Sequence, residues 1–302
     1  MIDPLAEVVA LLQPGARFSK QVVGAGQWRV RRTEVGQPFY CVIVEGSCHL
    51  AVDGHDAITL RQGDFVLIPS VYGFAMSSIE PVTPVDFETS PVVLPNGEFR
   101  LGLQDGPTDV RLLLGHCVFG SPDAALLVSL LPQLVHVRGE RRLATLVQLL
   151  GEESCEARPA RDEILARLLE VLLIEALRSA TGTAASPGLV RGLADVRLAA
   201  ALRQMHAHPG QAWTVAELAK EAALSRSAFF ERFSRAVGVA PMAYLLAWRM
   251  ALAKDLLRQK KGGVAQVAEC VGYSSASTFS VAFTRHVGLP PSRYAQEQTA
   301  LA

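Results

Sequence analysis

Apolar and polar positions change their period along the chain. Over residues 5–12, Leu5, Val8, Val9, Leu11 and Leu12 recur at helical spacing and stop at Pro14-Gly15, which predicts a short helix. From about 16 to 120 the apolar residues come in short runs rich in Val, Ile, Phe and Thr. Turn formers such as Gly36-Gln37-Pro38, Asp53-Gly54, Gln62-Gly63-Asp64 and Asp105-Gly106-Pro107 divide these runs at nearly regular intervals. Such spacing predicts an antiparallel sandwich or barrel, its clearest hairpin being His49–Leu60, turning on Asp53-Gly54. The proline-rich Glu80–Arg100 reads as an irregular loop. Beyond 121 the period turns helical throughout, in Asp123–Leu131, Arg141–Glu153 and Ala160–Ser179, and the small, breaker-rich Thr181–Gly188 reads as a linker.

Half of the 302 residues are hydrophobic and 19% are charged. That composition supplies real cores and excludes disorder as the dominant state. Apolar runs such as Phe65–Pro69 are far shorter than the ~18–20 residues of a membrane span, so no membrane partner is expected. Met1-Ile2-Asp3-Pro4 does not open a secretory signal, and five irregularly spaced cysteines suit a reducing cytoplasm. The net charge of zero hides an asymmetry. Residues 210–302 carry 11 Lys+Arg against 6 Asp+Glu, whereas residues 1–209 carry 18 against 23. A basic C-terminal third on an acidic body points to a polyanionic partner for the last ninety residues.

Two helix-turn-helix patterns lie in that basic third. Thr214–Ala222 is a short helix with a capping box (Thr214, Glu217), followed by the tight turn Ala223-Leu224. A second helix begins at Ser225 and closes at Gly238. The motif recurs: Gln266–Val271, the turn Gly272-Tyr273, and Ser275–His286 closed by Gly288, with Phe279 and Phe283 in the places of Phe229 and Phe233. Between them Pro241–Gln259 predicts a long helix able to hold two recognition helices apart.

Thr214–Tyr294, with Val271-Gly272-Tyr273-Ser274-Ser275-Ala276-Ser277-Thr278-Phe279-Ser280 and the ending Gly288-Leu289-Pro290-Pro291-Ser292-Arg293-Tyr294, resembles the DNA-binding domain of the AraC/XylS regulators. In the first half, the hairpin and Gly63-Asp64-Phe65-Val66-Leu67-Ile68-Pro69 resemble a cupin. The whole order is similar to AraC-type regulators with a cupin-like sensing domain. The resemblance implies an α+β protein: a cupin-like antiparallel β-barrel over residues 1–120, a helical dimerisation region and linker over 121–188, and an all-α DNA-binding domain over 189–302. It implies a cytoplasmic, homodimeric transcription regulator, an activator that meets double-stranded DNA, RNA polymerase and a small-molecule effector, with no cofactor and no catalytic activity.

By position, Arg226, Ser227, Phe230 and Glu231 would face bases from the first recognition helix, and Ser277 and Thr278 from the second. Ala276 and Val281 in the second offer no hydrogen bond, so most direct readout would fall to the first. Arg226 suits either a bidentate guanine contact or a phosphate. Thr214, Ser225, Lys254, Lys260, Lys261, Ser275 and Arg285 are candidate phosphate contacts, as are Arg258 and Arg293.

For the signal, Trp28, Phe39, Tyr40, Phe65, Tyr72 and Phe74 are candidates to line a barrel pocket, with Arg29, Arg31 and Arg32 near enough for an organic anion; the same aromatics would equally serve a β core. Some relatives of this architecture sense reactive chlorine through N-terminal cysteines, which makes Cys41, Cys48 and Cys117 rival candidates. Enzymatic cupins hold a metal with His, His, Glu and a later His. Here the place for the His after Pro69 reads Ser70-Val71-Tyr72-Gly73-Phe74, and His49, His55, His116 and Cys117 would have to converge to replace that set.

Overall fold

The computed structural model describes residues 3–33, 38–69, 73–80, 88–121, 124–155, 158–180 and 187–300. They group into two compact units. One is drawn from residues 12–122 and 132–186, the other from 1–11, 123–131 and 187–302. The boundaries expected near 120 and 188 are thus crossed by two short segments, the opening helix α1 (Pro4–Leu12) and α2 (Ala124–Val128) with the turn after it.

The first unit is a curled, mixed ten-stranded sheet. Its long strands are β1 (Pro14–Ala25), β3 (Phe39–Val52) and β9 (Val110–Phe119); the shorter ones are β2 (Arg29–Arg32), β4 (Ile58–Arg61), β5 (Asp64–Ile68), β6 (Phe74–Ser77), β7 (Val92–Val93), β8 (Phe99–Gly102) and β10 (Val135–Arg138). The main path runs β10-β5-β3-β9-β1-β8-β7. β3 curls the sheet by changing partners along its length: Phe39–Val42 pairs with β5 and Phe39–Gly46 with β9, whereas its distal end pairs with β4 and β6. The change falls at a bulge beside Gly46. This glycine has φ +75° and lies so close to Asp109 that a Cβ would stand 1.9 Å from the Asp109 carbonyl oxygen.

Alternation sorts the strand residues onto two faces. Phe39, Cys41, Ile43, Val66, Ile68, Leu112 and Leu114 join Trp28, Leu50 and Phe74 in the core inside the curl. Tyr40, Phe65 and Leu67 are as deeply buried but stand at the alternate positions. Helices α3 (Arg141–Cys155) and α4 (Arg161–Ser179) pack on β1 and on each other, burying Leu143, Val147, Leu150, Leu165, Leu169, Leu172 and Leu173. Most of both apolar stripes is therefore used inside the unit. Leu149, Ile164 and Val171 remain exposed.

Three expectations are corrected here. The chain after 121 is not wholly helical, because Val135–Arg138 adds an edge strand antiparallel to β5; its four residues are too few for a period to show against the helices on either side. Part of Glu80–Arg100 is strand: Val92-Val93 pairs with β8, and Phe99–Gly102 lies parallel to β1. That parallel pair makes the sheet mixed rather than purely antiparallel. A parallel partner is recruited from far along the chain and leaves no hairpin signal.

The second unit is all-helical. α5 (Leu189–Ala194) and α6 (Val196–Ala207) precede α7 (Val215–Glu221), α8 (Arg226–Val237), α9 (Pro241–Arg258), α10 (Val264–Cys270), α11 (Ala276–Val287) and α12 (Pro291–Ala300). α1 joins this unit through a buried polar chain. Glu7 Oε2 lies 2.8 Å from His206 Nδ1, His206 Nε2 lies 2.8 Å from the Tyr244 hydroxyl, and the imidazole stacks on Trp248 with 4.0 Å between ring centroids. Burial pushes the His206 pKa below its ordinary value and the Tyr244 pKa above its own. A neutral imidazole fits the geometry, donating from Nδ1 to the carboxylate and accepting the phenol proton at Nε2. The α2 segment is tied in by Leu189 N–H, which donates to the Leu130 carbonyl at 2.7 Å.

Candidate nucleic-acid interface

Each helix-turn-helix is built by local chemistry that the sequence announces. Thr214 Oγ1 accepts from Glu217 N–H at 3.2 Å, and the Glu217 carboxylate accepts from Thr214 N–H at 2.7 Å, closing the predicted capping box. Ser225 caps α8 by accepting from Ala228 N–H, and Ser275 caps α11 by accepting from Thr278 N–H. Both helices end on a left-handed glycine, Gly238 at φ 87° and Gly288 at φ 85°. Phe229 and Phe233 are fully buried, and Phe233 meets Tyr244 edge-on at 5.8 Å. Phe279 and Phe283 repeat this, with Phe283 edge-on to Tyr294 at 5.6 Å. Counted from the serine caps, the two units keep one register: Ser225 with Ser275, Phe233 with Phe283, Gly238 with Gly288, Pro241 with Pro291 and Tyr244 with Tyr294.

The turns differ in one informative place. Ala223 and Gly272 both adopt the left-handed region, at φ 51° and 83°. At Gly272 a Cβ would stand 2.7 Å from the Arg249 guanidinium and 2.9 Å from the Gly210 carbonyl oxygen. Arg249 is itself held by donating to the Pro209 and Gln211 carbonyls. Gly272→Ala is therefore expected to destabilise the helical unit by about 2 kcal/mol or more, from left-handed strain plus contact with backbone. Thermal unfolding measures it; an unchanged midpoint would show that this turn relaxes freely.

The outer face of α8 presents Arg226, Ser227, Phe230 and Glu231, which with Val215 line one open groove. Phe230 is 45% exposed, large for an aromatic side chain. α11 presents Ser277, Thr278, Val281, Arg285 and His286 in a second groove. The structure thus brings each predicted set of base-facing residues together on its own helix. Sequence reasoning missed Val215, Tyr273 and His286 as groove-lining residues. His286 was findable, because it follows Arg285 on the last turn of a helix whose face was already assigned.

The predicted phosphate contacts fall into three classes. The hydroxyls of Thr214, Ser225 and Ser275 are engaged as caps, the last also within 3.0 Å of Ser277 Oγ and 2.9 Å of Thr278 Oγ1. Lys260 and Lys261 are exposed beyond the end of α9, and Arg285 is exposed on α11. Lys254 is half-buried with its ammonium 5.9 Å from the Tyr294 ring centroid, so it packs as well as carrying charge. Arg258 pairs with Asp255, and Arg293 with Glu297.

In the sheet unit the candidate pocket residues do not share a face. Trp28, Phe39 and Phe74 join the core inside the curl, with Phe39 and Phe74 ring centroids 4.5 Å apart, whereas Tyr40 and Phe65 occupy the alternate strand positions. Tyr72 lies outside the described residues. Arg31 is paired with Asp53 at 3.0 Å. The thiols are also divided: Cys41 and Cys48 belong to the core inside the curl, and Cys117 does not. All three are buried. Burial pushes Cys48 and Cys117 up to about 12 and Cys41 well above its ordinary value. These are protonated, enclosed thiols, the opposite of a poised redox sensor. His49 bonds Thr59 through Nδ1, His55 bonds Gln133 through Nε2, and His116 packs on Phe39. Among the described residues no group of His, Cys, Asp and Glu is disposed to hold a metal ion. Neither the thiol-sensor nor the metal-cupin alternative finds support.

The cupin family profile matches residues 3–182, and a helix-turn-helix domain profile matches residues 218–297. A Streptomyces lividans protein described as an AraC-like transcription regulator is 36% identical over 99% of both chains. The chain belongs to the AraC-like transcription regulators. A Streptomyces antibioticus member is 35% identical over 97% of this chain and 98% of its own. Among solved structures, unsaturated-fatty-acid-bound ToxT from Vibrio cholerae covers 92% of this chain at 11% identity, with a TM-score of 0.36 and 93% of its own chain covered. As an AraC-type regulator, the protein joins a DNA-binding domain with two helix-turn-helix units to a cupin-like N-terminal domain. Among the described residues no single helix is long and apolar enough to cross a membrane.

Proposed function

We propose that this regulator reads DNA asymmetrically, with α8 supplying most base recognition and α11 mainly positioning. The supporting observation is the contrast between the two grooves. α8 offers a guanidinium, a hydroxyl and a carboxylate at Arg226, Ser227 and Glu231, all exposed. On α11 Ser277 and Thr278 meet the cap Ser275 as Ser227 meets Ser225, but Ala276 and Val281 stand in the places of Arg226 and Glu231, and Val281 is 71% exposed. Val281 suits contact with a thymine methyl, and Arg226 suits a guanine edge worth about 1–3 kcal/mol. Arg226→Ala is expected to weaken binding to a duplex selected by the wild-type protein about 5- to 150-fold and to relax preference at one base pair. Mobility-shift titration against single-base variants tests this. Unchanged affinity and preference would overturn the assignment of α8.

The same reading makes the protein a cytoplasmic, non-enzymatic homodimer that engages RNA polymerase as an activator and answers a small-molecule effector at the cupin-like domain. Support for the dimer is the apolar strip left on α3 and α4. Ile164 and Val171 lie seven residues apart on one face of α4, and both, like Leu149, are more than 40% exposed. Ile164→Asp with Val171→Asp is expected to convert the full chain to monomers in sedimentation at micromolar concentration. Support for the effector is the cupin-like architecture. Because Trp28, Phe39 and Phe74 are already packed, an effector inside the curl must displace them, and its binding would register as a shift in Trp28 fluorescence.

A further inference from the structure

α8 carries a second exposed chemistry that base reading leaves unused. Arg232 and Arg235, near its C-terminal end, line an open groove with Arg191 of α5 and Arg197 of α6. All four side chains are exposed, and among the described residues that line the groove Asp195 is the one carboxylate. Asp195 is fully engaged. It caps α6 through the Arg197 and Leu198 N–H groups and pairs with Arg232, which together with the caps holds its pKa below the usual carboxylate value despite desolvation, the largest opposing influence. The groove therefore carries a cationic surplus on a scaffold of three helices.

Two observations say what it meets. Ser227, Glu231 and Arg235 stand four residues apart along one ridge of α8, so Arg235 lies about 12 Å along the helix from Ser227. A B-DNA major groove is about 12 Å wide. A helix that puts Ser227 against base edges brings Arg235 to the groove's rim, where the phosphates lie. The register shared by the two units supplies the second observation. Arg235 corresponds to Arg285, and on α11 Arg285 lines the same groove as Ser277, Thr278 and Val281.

We propose that Arg191, Arg197, Arg232 and Arg235 form a clamp for the DNA sugar–phosphate backbone beside the half-site read by α8. Guanidinium groups suit that partner, since their planar donors match phosphate oxygens bidentately. The clamp rests on DNA binding by α8 but adds no sequence preference, because phosphates carry none.

The test uses the full chain and a 40-bp duplex selected from a random library by the wild-type protein. Dissociation constants are measured for wild type and for the combined variant Arg191→Gln, Arg197→Gln, Arg235→Gln across a potassium chloride series. Arg232 is kept, so the Asp195 cap stays intact. Each lost phosphate contact flattens the slope of log K against log salt by about 0.9, so the variant slope is expected to be shallower by about 2–3. Base preference should remain that of wild type, and the matching Arg→Lys variant should regain most of the slope. An unchanged slope in the Gln variant overturns the clamp. So does loss of RNA-polymerase-dependent transcription at unchanged DNA affinity, which would assign the groove to an acidic protein surface. Failure of the wild type to select any duplex would instead refute sequence reading by α8.

Discussion

Phe233→Ala and Phe283→Ala are each expected to destabilise the DNA-binding unit by about 3–5 kcal/mol, a large share of the 5–15 kcal/mol that holds a typical domain. Each ring is fully buried between a second phenylalanine and a tyrosine, Phe229 and Tyr244 for one, Phe279 and Tyr294 for the other. Truncation removes the hub of an aromatic chain that no neighbour can refill. Because the rings occupy equivalent places, the two losses should be similar in size. Both should reach Trp213 and Trp248, which lie in this unit, before Trp28, which lies in the sheet unit. Unfolding followed by tryptophan fluorescence, with single Trp→Phe variants as references, checks the order. A loss below about 1 kcal/mol at either site would mean that its helix-turn-helix does not pack around the phenylalanine.

Deleting residues 1–11 should damage the same unit from the far end of the sequence. Val8 and Val9 are fully buried, and each such side chain is worth about 1.5–3 kcal/mol. The deletion also removes Glu7, leaving the buried His206 Nδ1 without its carboxylate partner. A loss of at least about 3 kcal/mol is expected, with lowered DNA affinity although no deleted residue is a candidate DNA contact. The milder Glu7→Gln retains an acceptor and should recover most of it. Equilibrium denaturation of the deletion and of Glu7→Gln beside wild type measures both; equal stability of all three would show that α1 contributes nothing to this unit.

That dependence was not legible in the sequence. Leu5–Leu12 reads correctly as a short helix, but its period cannot say which distant surface it covers, and Glu7 and His206 stand almost two hundred positions apart. What was legible is chemistry that works over a few residues. The capping box at Thr214 and Glu217, the serine caps and the closing glycines fix the ends of α7, α8 and α11, so the residues exposed on the outer faces of α8 and α11 followed from position alone. The sheet was readable only where hairpins are tight. β4 and β5 follow recognisable turns at Asp53-Gly54 and Gly63, whereas β8 joins β1 in parallel and β10 pairs with β5 only after four further strands and a helix have intervened in the chain. Aromatic residues were the least informative. Phe39 and Tyr40 are adjacent and both buried, yet alternation assigns them to opposite faces, which composition cannot reveal.

On the proposed reading, one chain meets two successive major-groove segments through α8 and α11, unequally. Selection of binding sites from a random duplex library by the purified full chain shows whether it does. Two blocks of preferred bases are expected with centres about 10–10.5 bp apart, one turn of DNA, and the more sharply defined block should be the one that Arg226→Ala degrades. A single block, no enrichment, or a selected site whose preferences ignore Arg226→Ala would rule out unequal reading by the two helices.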